Sequence, residues 1–300
     1  CEQYGEYKAN FEKNYNSFFE SEYQHNKAIR IVALENDKIV GFQSFFFWPY
    51  KIDNNYFNSY QSGKSLVHKD YRGRGIFAKL LNYVSENNLD LKIDFLIGFP
   101  VKMSYNSFIR NKWDNILNLT WFIKINNPLF FLYSSKHNKI IKHMSDKYLK
   151  VKDSPENNFR LATDIDEFSY WRENFNLRRN YYHKYVDGNS IAQFSLKFNK
   201  RLNFFTELIV GDIRTNSYNT KFLQSAIESL VRKVSLVRGI FFISIACNLS
   251  SKTEYLQILK SSGFLKTKKE IYFIIKNYSK SNRPTTSKYW TLYTSDIETW

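Results

Sequence analysis

Cysteine is scarce: the 300 residues contain two, Cys1 and Cys247, in different halves of the chain. A disulfide framework is therefore not supported, and a reducing cytoplasmic setting is expected. The five histidines, His25, His68, His137, His143 and His183, form no close cluster with carboxylates or thiols, so no metal site is expected. No apolar run approaches the ~18 residues of a bilayer-spanning helix, and no signal peptide precedes Cys1, so a soluble protein without a membrane span is expected. Acidic residues are also in deficit, 28 against 44 lysines and arginines, for a net charge of +16. Such a field favours polyanionic partners: nucleic acid, anionic lipid or nucleotide-linked metabolites. The lysines are scattered, with no block of five or six and no RNA-binding signature, which argues against nucleic acid. AT-rich coding would equally account for the abundance of Lys, Asn, Phe and Tyr.

What is present suffices for sizeable cores, since 43% of residues are hydrophobic and 18% aromatic. Three hundred residues exceed the usual single-domain size, so two domains are expected. The most informative segment is LVHKDYRGRGIFAKLL, residues 66–81. An apolar strand end, Leu66 and Val67, runs into a basic turn with paired glycines, Arg72-Gly73-Arg74-Gly75. A helical stripe follows at Ile76, Phe77, Leu80, Leu81 and Val84. Unpaired N–H groups at a helix N-terminus, with the positive end of its dipole, make an anion site. Glycine lets a pyrophosphate approach where a Cβ would obstruct it. A P-loop would need Gly-Lys-Ser/Thr, and a dinucleotide fingerprint would need G-x-G-x-x-G with an acidic residue about twenty positions on. Neither is present.

The surrounding sequence places this loop in a βαβ unit. Residues 28–47 read as two β-runs joined at Asn36-Asp37, a hairpin signal. Residues 95–100, FLIGFP, form a short apolar strand, and residues 104–113, SYNSFIRNKW, a helix ending in an aromatic. The strand, helix, strand order makes a crossover around the anion loop. Together these segments, over residues 28–125, resemble the GCN5-related N-acetyltransferase (GNAT) superfamily, whose motif R/Q-x-x-G-x-G/A corresponds to Arg72 through Phe77. The last position departs, with Phe77 where Gly or Ala is usual. The resemblance implies that the loop holds the pyrophosphate of acyl-CoA and that the strands before and after it splay to admit the pantetheine arm. The implied cofactor-binding residues are Leu66, Val67, Arg72, Gly73, Arg74, Gly75, Ile76 and Phe77.

The second half repeats the pattern in outline. Residues 200–213 read as a hairpin arm plus a strand; Phe222, Leu223, Ala226, Ile227, Leu230 and Val231 recur at helical spacing; GIFFISIA is a buried strand. A helix over 255–264 closes on Gly263, suited to a C-cap, and residues 269–276 form a last strand. This half also resembles a GNAT fold, but its loop, Asp212 to Ser217, has no glycine pair and carries an acidic residue, so no second cofactor site is expected. The fold class is therefore α+β: two tandem GNAT-like domains, residues 1–150 and 151–300, each a mixed twisted sheet flanked by helices, the second degenerate. The second domain is expected to shape the acceptor pocket or a homodimer contact.

The layout, with a tail bearing Trp290, Leu292, Ser295 and Asp296 and the segment Gly98-Phe99-Pro100 then Ser104-Tyr105, resembles tandem-GNAT sugar N-acyltransferases of surface polysaccharide pathways. That implies transfer from acyl-CoA to the amine of a nucleotide-linked amino sugar, such as a dTDP-3-amino-3,6-dideoxyhexose. Val101 and Met103 stand where asparagines are common in that group. The chemistry needs a neutral amine, an oxyanion donor, a proton source for the thiolate and positioning. The resemblance assigns polarisation of the thioester to the Val67 amide. Its usual acid, counted back from Trp113, falls on Phe108, which cannot donate a proton. Tyr105, one turn earlier, is the nearest candidate acid, with packing as its other reading. His68 is a candidate base, and Glu207, Asp212 or solvent are alternatives. Two other classes stay open: an aminoacyl-tRNA-dependent transferase of FemABX type, against which the intact loop argues, and a non-catalytic acyl-CoA-binding module.

Overall fold

A computed structural model describes residues 20–128, 158–175, 180–201, 205–217, 219–237, 239–248 and 253–297. The expected boundary near residue 150, and the histidines His137 and His143, lie outside these residues. The first elements among the described residues are a short helix α1 (Glu22–His25) and the hairpin β1 (Ile29–Glu35) and β2 (Lys38–Phe47). Asn36 and Asp37 both have positive φ, 49° and 61°, the conformation a two-residue hairpin turn requires and Asn and Asp tolerate. Strands β3 (Tyr50–Ile52), β4 (Asn55–Phe57) and β5 (Ser59–Val67) lead into helix α2 (Ile76–Glu86), strand β6 (Phe95–Gly98), helix α3 (Lys102–Arg110) and strand β7 (Asp114–Ile125).

Later come β8 (Arg160–Leu161), α4 (Asp166–Asn174), β9 (Tyr181–Asp187), β10 (Ser190–Arg201), β11 (Phe205–Thr215), α5 (Thr220–Ser235), β12 (Ile240–Cys247), α6 (Thr253–Ser261) and β13 (Leu265–Asn277). Two segments differ from their sequence reading. Helix α3 stops at Arg110 because Lys112 turns to φ 61°, so Trp113 lies past the helix rather than on it. Residues 212–215, expected as a loop, are strand: β10 holds β11 by antiparallel pairing as far as Thr215 opposite Ala192.

The chain divides into two compact units, each drawn from three stretches. Unit 1 combines residues 1–118, 157–177 and 271–290. Its main sheet runs β1-β2-β5-β6-β13, with β6 parallel to β5 and antiparallel to β13, and a small sheet β4-β3-β8 lies apart from it. One sheet face buries Phe45, Leu96 and Ile274 against Leu81 and Val84 of α2 and Phe108 of α3. Gly41 of β2 lies under the first residue of α2, since a Cβ there would stand 2.6 Å from Ile76 Cγ2. A second aromatic cluster surrounds the fully buried Trp290, whose ring stacks on Phe159 at 4.5 Å and meets Tyr50, Phe95 and Phe273 edge-on or nearly so.

Unit 2 combines residues 119–156, 178–270 and 291–300. Its sheet runs β7-β12-β11-β10-β9, with β12 parallel to β11 and residues 120–125 of β7 antiparallel to β12. The hairpin, crossover helix and parallel strand therefore repeat the arrangement of unit 1. One face packs Phe194, Leu196, Leu208, Val210, Ile243 and Ile245 against the apolar stripe of α5 and against α6. Helix α6 ends as its sequence implied: Gly263 takes φ 83°, and the N–H groups of Gly263 and Phe264 donate to Lys260 O and Leu259 O.

His183 of β9 faces this core, hydrogen-bonded at Nε2 to Ser229 Oγ over 3.2 Å and packed beside Phe194. Burial, and then the Lys233 charge, lower its pKa to about 4. A histidine kept neutral in the fold but free to protonate when unfolded contributes stability that is complete above pH ~6.5 and lost as pH falls toward 4. We expect His183→Gln to remove a pH-dependent component of roughly 3 kcal/mol across that interval. Urea midpoints from pH 4 to 7 check it; parallel curves for the two proteins would show that His183 carries none of the dependence.

Candidate active site

Strands β5 and β6 pair in parallel from Ser59 opposite Phe95 to Ser62 opposite Gly98, and there the pairing stops. β5 continues to Val67, so a gap opens between it and the chain leaving β6. A β-bulge lies at this point. Phe42 opposes Leu66 and Ser44 opposes Gly63, so that Gln43 alone faces both Lys64 and Ser65. Lys64 adopts φ 53°, a left-handed conformation unfavourable for a side-chain-bearing residue. Polar contacts hold it. The fully buried Gln43 donates from Nε2 to Ser44 O (2.6 Å) and Ser62 Oγ (3.1 Å) and accepts from Ser65 Oγ, while Ser44 Oγ donates to Gly63 O at 2.8 Å. A lone Gln-Ser pair within an apolar strand was the available signal for this network, which the sequence reading missed.

Past the bulge, register sets the direction of each amide. His68 N donates to Val40 O at 2.9 Å, so these two residues form a hydrogen-bonded antiparallel pair. The adjacent pair, Val67 opposite Gly41, is then of the non-hydrogen-bonded kind, and the Val67 N–H points away from β2 toward the gap. Its carbonyl accepts from Arg72 Nε at 3.2 Å. Leu66 is half-buried on the same strand.

A short 3₁₀ turn, Lys69–Tyr71, then carries the chain into Arg72-Gly73-Arg74-Gly75. Gly73 and Gly75 have φ 79° and 73°, and nothing lies within 4 Å of where either Cβ would be. The backbone there is open, and only glycine adopts it without strain. Gly75 is the N-cap of α2 and brings no side-chain acceptor to the first turn. The leading amides of α2, from Ile76 and Phe77 onward, thus face outward at the positive end of the helix. Arg74 lies across the Tyr71 ring at 4.7 Å, donates to Asp70 O at 3.2 Å and approaches Glu35 at 3.8 Å. Tyr71 also hydrogen-bonds Glu35, which raises its pKa. The equivalent helix of unit 2 differs: Asn219, the N-cap of α5, accepts from the Lys221 and Phe222 amides at 2.9 and 3.3 Å.

The other candidates are dispersed. His68 is 40% exposed at its side chain, and its Nδ1 accepts from Asp70 N at 3.4 Å. Tyr105 of α3 stacks on Tyr272 of β13 with ring centroids 4.4 Å apart. Phe108 is a core residue, edge-on to Phe77 (5.2 Å) and Trp113 (5.0 Å). Phe77 is thereby partly packed beneath the loop rather than extended into it. Val101 and Met103 are exposed. In unit 2, Glu207 is buried and occupied by Ser244 Oγ and by Arg201 Nε at 2.6 Å, and Asp212 by Arg214 and Ser295. The expectation that Asp212 lies beside a pyrophosphate loop is corrected, since it belongs to strand β11. Among the described residues no cluster of three or more His, Cys, Asp or Glu could hold a metal, and no helix is long and apolar enough to cross a membrane.

Comparison with known proteins points the same way as this geometry. Residues 5–108 match the acetyltransferase (GNAT) domain family. No curated protein matches the chain. A GCN5-related N-acetyltransferase from Anabaena variabilis superposes with a TM-score of 0.53 at 11% identity over 83% of this chain, which spans 62% of that protein's length. A probable N-acyltransferase from Enterococcus faecalis gives 0.57 at 8% identity, covering 92% of this chain and 67% of its own. N-myristoyltransferase from Saccharomyces cerevisiae, with bound myristoyl-CoA, gives 0.52 at 11% identity, covering 88% and 71%. The chain therefore has a mixed α+β, GNAT-like fold, and its residues 5–108 are similar to the acetyltransferase (GNAT) domain family.

Proposed function

We propose that the protein is an acyl-CoA-dependent N-acyltransferase whose acceptor is the amine of a nucleotide-linked amino sugar, such as a dTDP-3-amino-3,6-dideoxyhexose. The observation that carries the cofactor is the uncapped N-terminus of α2, entered through two left-handed glycines, beside the parting of β5 and β6. The amides from Ile76 onward would receive the pyrophosphate, with Arg72 and Arg74 adjacent, and the extended arm would follow the free edge of β5 past Leu66 to Val67. The amino-sugar acceptor rests on the resemblance of Gly98-Phe99-Pro100, Ser104-Tyr105 and the tail at Trp290 to that group of transferases. An intact pyrophosphate cradle favours CoA over a tRNA-borne acyl donor.

In the reaction, the neutral amine attacks the thioester carbon, its nitrogen loses a proton, and the C–S bond breaks to release CoA thiolate, which takes up a proton. The Val67 N–H is directed where it can donate to the carbonyl oxygen as negative charge develops, a role that needs no titratable group. Phe108 is sealed in the core and supplies no proton. His68 and Tyr105 are partly accessible; the Asp70 carboxylate stands 3.7 Å from His68 Nδ1, beyond hydrogen-bonding distance, and the Tyr105 ring packs on Tyr272. CoA thiol, with a pKa near the ~8.5 of a free cysteine, is a tolerable leaving group unaided. Positioning of the two substrates, worth about 7–11 kcal/mol, is expected to outweigh general acid–base catalysis at about 10²–10⁴-fold.

Replacement of Gly75 by Val should abolish acetyl-CoA binding. Gly188, in the β9–β10 turn with φ 54° and an equally open Cβ position, supplies a control of matched backbone strain. Gly188→Val should leave calorimetric affinity unchanged; equal losses from both would trace the effect to folding and remove the loop from the cofactor site.

Arg74→Ala should raise the acetyl-CoA dissociation constant by about one to two decades, as removal of a charge-assisted hydrogen bond worth roughly 1.5–3 kcal/mol requires. The amino-sugar KM should stay as it was. An unchanged cofactor constant would mean that Arg74 serves only Tyr71 and Glu35.

His68→Ala and Tyr105→Phe should each lower kcat less than about tenfold, with pH profiles set by the substrate amine. Turnover at saturating amino sugar from pH 5.5 to 9 checks this. A thousandfold fall for His68→Ala, with loss of a limb near pH 6–7, would instead make His68 the base. Thermal shifts with acetyl-CoA, a dTDP-amino sugar and tRNA separate the proposed activity from a tRNA-dependent one and from a non-catalytic binding module.

A further inference from the structure

Unit 2 contains the same parting of strands as unit 1. β11 and β12 pair in parallel as far as Val210 opposite Ile245, and a bulge follows immediately, where Ser195 opposes Asp212 while Leu196 opposes Val210, leaving Gly211 extra. β11 then continues to Thr215 without β12, as β5 continues to Val67 without β6. In unit 2, however, this gap is filled. Tyr293 forms an antiparallel bridge to Cys247, and next to it Asn248 N donates to Leu292 O (3.3 Å) and Leu292 N donates to Asn248 Oδ1 (2.8 Å). From the tail to β11, Thr294 Oγ1 donates to Val210 O at 3.0 Å and Ser295 Oγ to Asp212 Oδ2 at 3.2 Å. Segment 292–296 thus bonds to both separated strands at the point where they part.

The charges of the site are also satisfied internally. Arg214, with 11% of its side chain exposed, donates from Nε to Asp212 Oδ2 at 3.2 Å and lies in the field of Asp296, whose carboxylate accepts from Tyr293 N at 2.7 Å. Thr294, Ser295 and Asp296 are all buried. The helix N-terminus that would face an anion is closed as well, because Asn219 occupies the first amides of α5. Each element that unit 1 leaves open toward a ligand therefore has a partner from this chain in unit 2.

We propose that the C-terminal segment Leu292–Asp296 is a resident pseudo-ligand: a bridge residue, Tyr293, followed by a 3₁₀ turn over Thr294–Asp296, which occupies in unit 2 the slot left open in unit 1, so that the protein binds one acyl-CoA and its tail is required to keep β11 and β12 apart and bonded to it. The comparison with unit 1 rests on the cofactor reading above, whereas the plug itself rests on contacts within unit 2. A buried carboxylate at the head of the slot and a bonded peptide within it exclude an anionic, pantetheine-bearing ligand.

The test is amide hydrogen exchange on the full-length chain. Thr294→Val and Ser295→Ala, singly and together, remove the two bonds to β11 while leaving the Asp212–Arg214 pair. Exchange within 211–215 and 246–248 should quicken by about tenfold or more in the double variant, and by less in each single one, while residues 63–67 remain unchanged. In the unaltered protein, acetyl-CoA should slow exchange at 63–67 and in the first turn of α2 and nowhere in 211–215. Unchanged exchange in 211–215 in all three variants, or protection of 211–215 by acetyl-CoA, would overturn the plug. Failure of acetyl-CoA to protect 63–67 would overturn the cofactor reading of unit 1 alone, because the variant arm contains no cofactor.

Discussion

A strand in a parallel pair must find other partners once its neighbour leaves, and in unit 1 that requirement falls on β5 after Ser62. The bulge at Lys64 and Ser65 resolves it on the β2 side, where the buried Gln43 supplies the hydrogen bonds the interrupted ladder omits. On the other side the Val67 amide faces the gap, and among the described residues no strand pairs with it there. Gly41 permits the close seating of Ile76, so helix α2 begins beside the end of β5 and aims its uncapped first turn at the same region. The Val67 amide, the glycine turn and the helix terminus are therefore consequences of one topological event.

The second unit answers the same requirement by another means. Its strands part at the corresponding register, but Tyr293, Thr294 and Ser295 take up the exposed edges and Asn219 takes up the helix terminus. An unfilled gap would leave buried polar groups unpaired at a cost of about 1–3 kcal/mol each. Unit 2 meets that cost with its own atoms. The acidic residues of the tail and of β11, which look misplaced beside a would-be phosphate loop, are instead the partners of a largely enclosed arginine.

The site places little weight on titratable side chains. Phe108, the position the GNAT resemblance gives to an acid, packs against Phe77 and Trp113, and in unit 2 Glu207 and Asp212 are each paired with an arginine. In the proposed reaction, what the geometry would offer an acyl group is a fixed amide and a cradle for its carrier. An amide in that role works equally at any physiological pH, and its direction is set by strand register rather than by rotamer choice.

Much of this was legible in the residues themselves. The Asn36-Asp37 turn, the glycine pair before an apolar stripe, the βαβ order and the Gly263 cap are local signals, each dictated by backbone conformations that few residue types adopt. Other features depend on partners distant in sequence. That β13 closes the sheet of unit 1 beside β6, that residues 212–215 are strand because β10 extends along them, and that Leu292–Asp296 lies between β11 and β12 are pairings across tens to hundreds of residues. The helix read to Trp113 ends at Arg110 because Lys112 turns left-handed, a choice Lys does not announce. Sequence by itself determined most of the elements, the glycine-paired turn before α2 and the absence of such a pair from the second half. Only the tertiary structure decided which strands part, which way the Val67 amide points and what fills the second gap, because strand pairing is non-local and its register, not its composition, orients each hydrogen-bonding group.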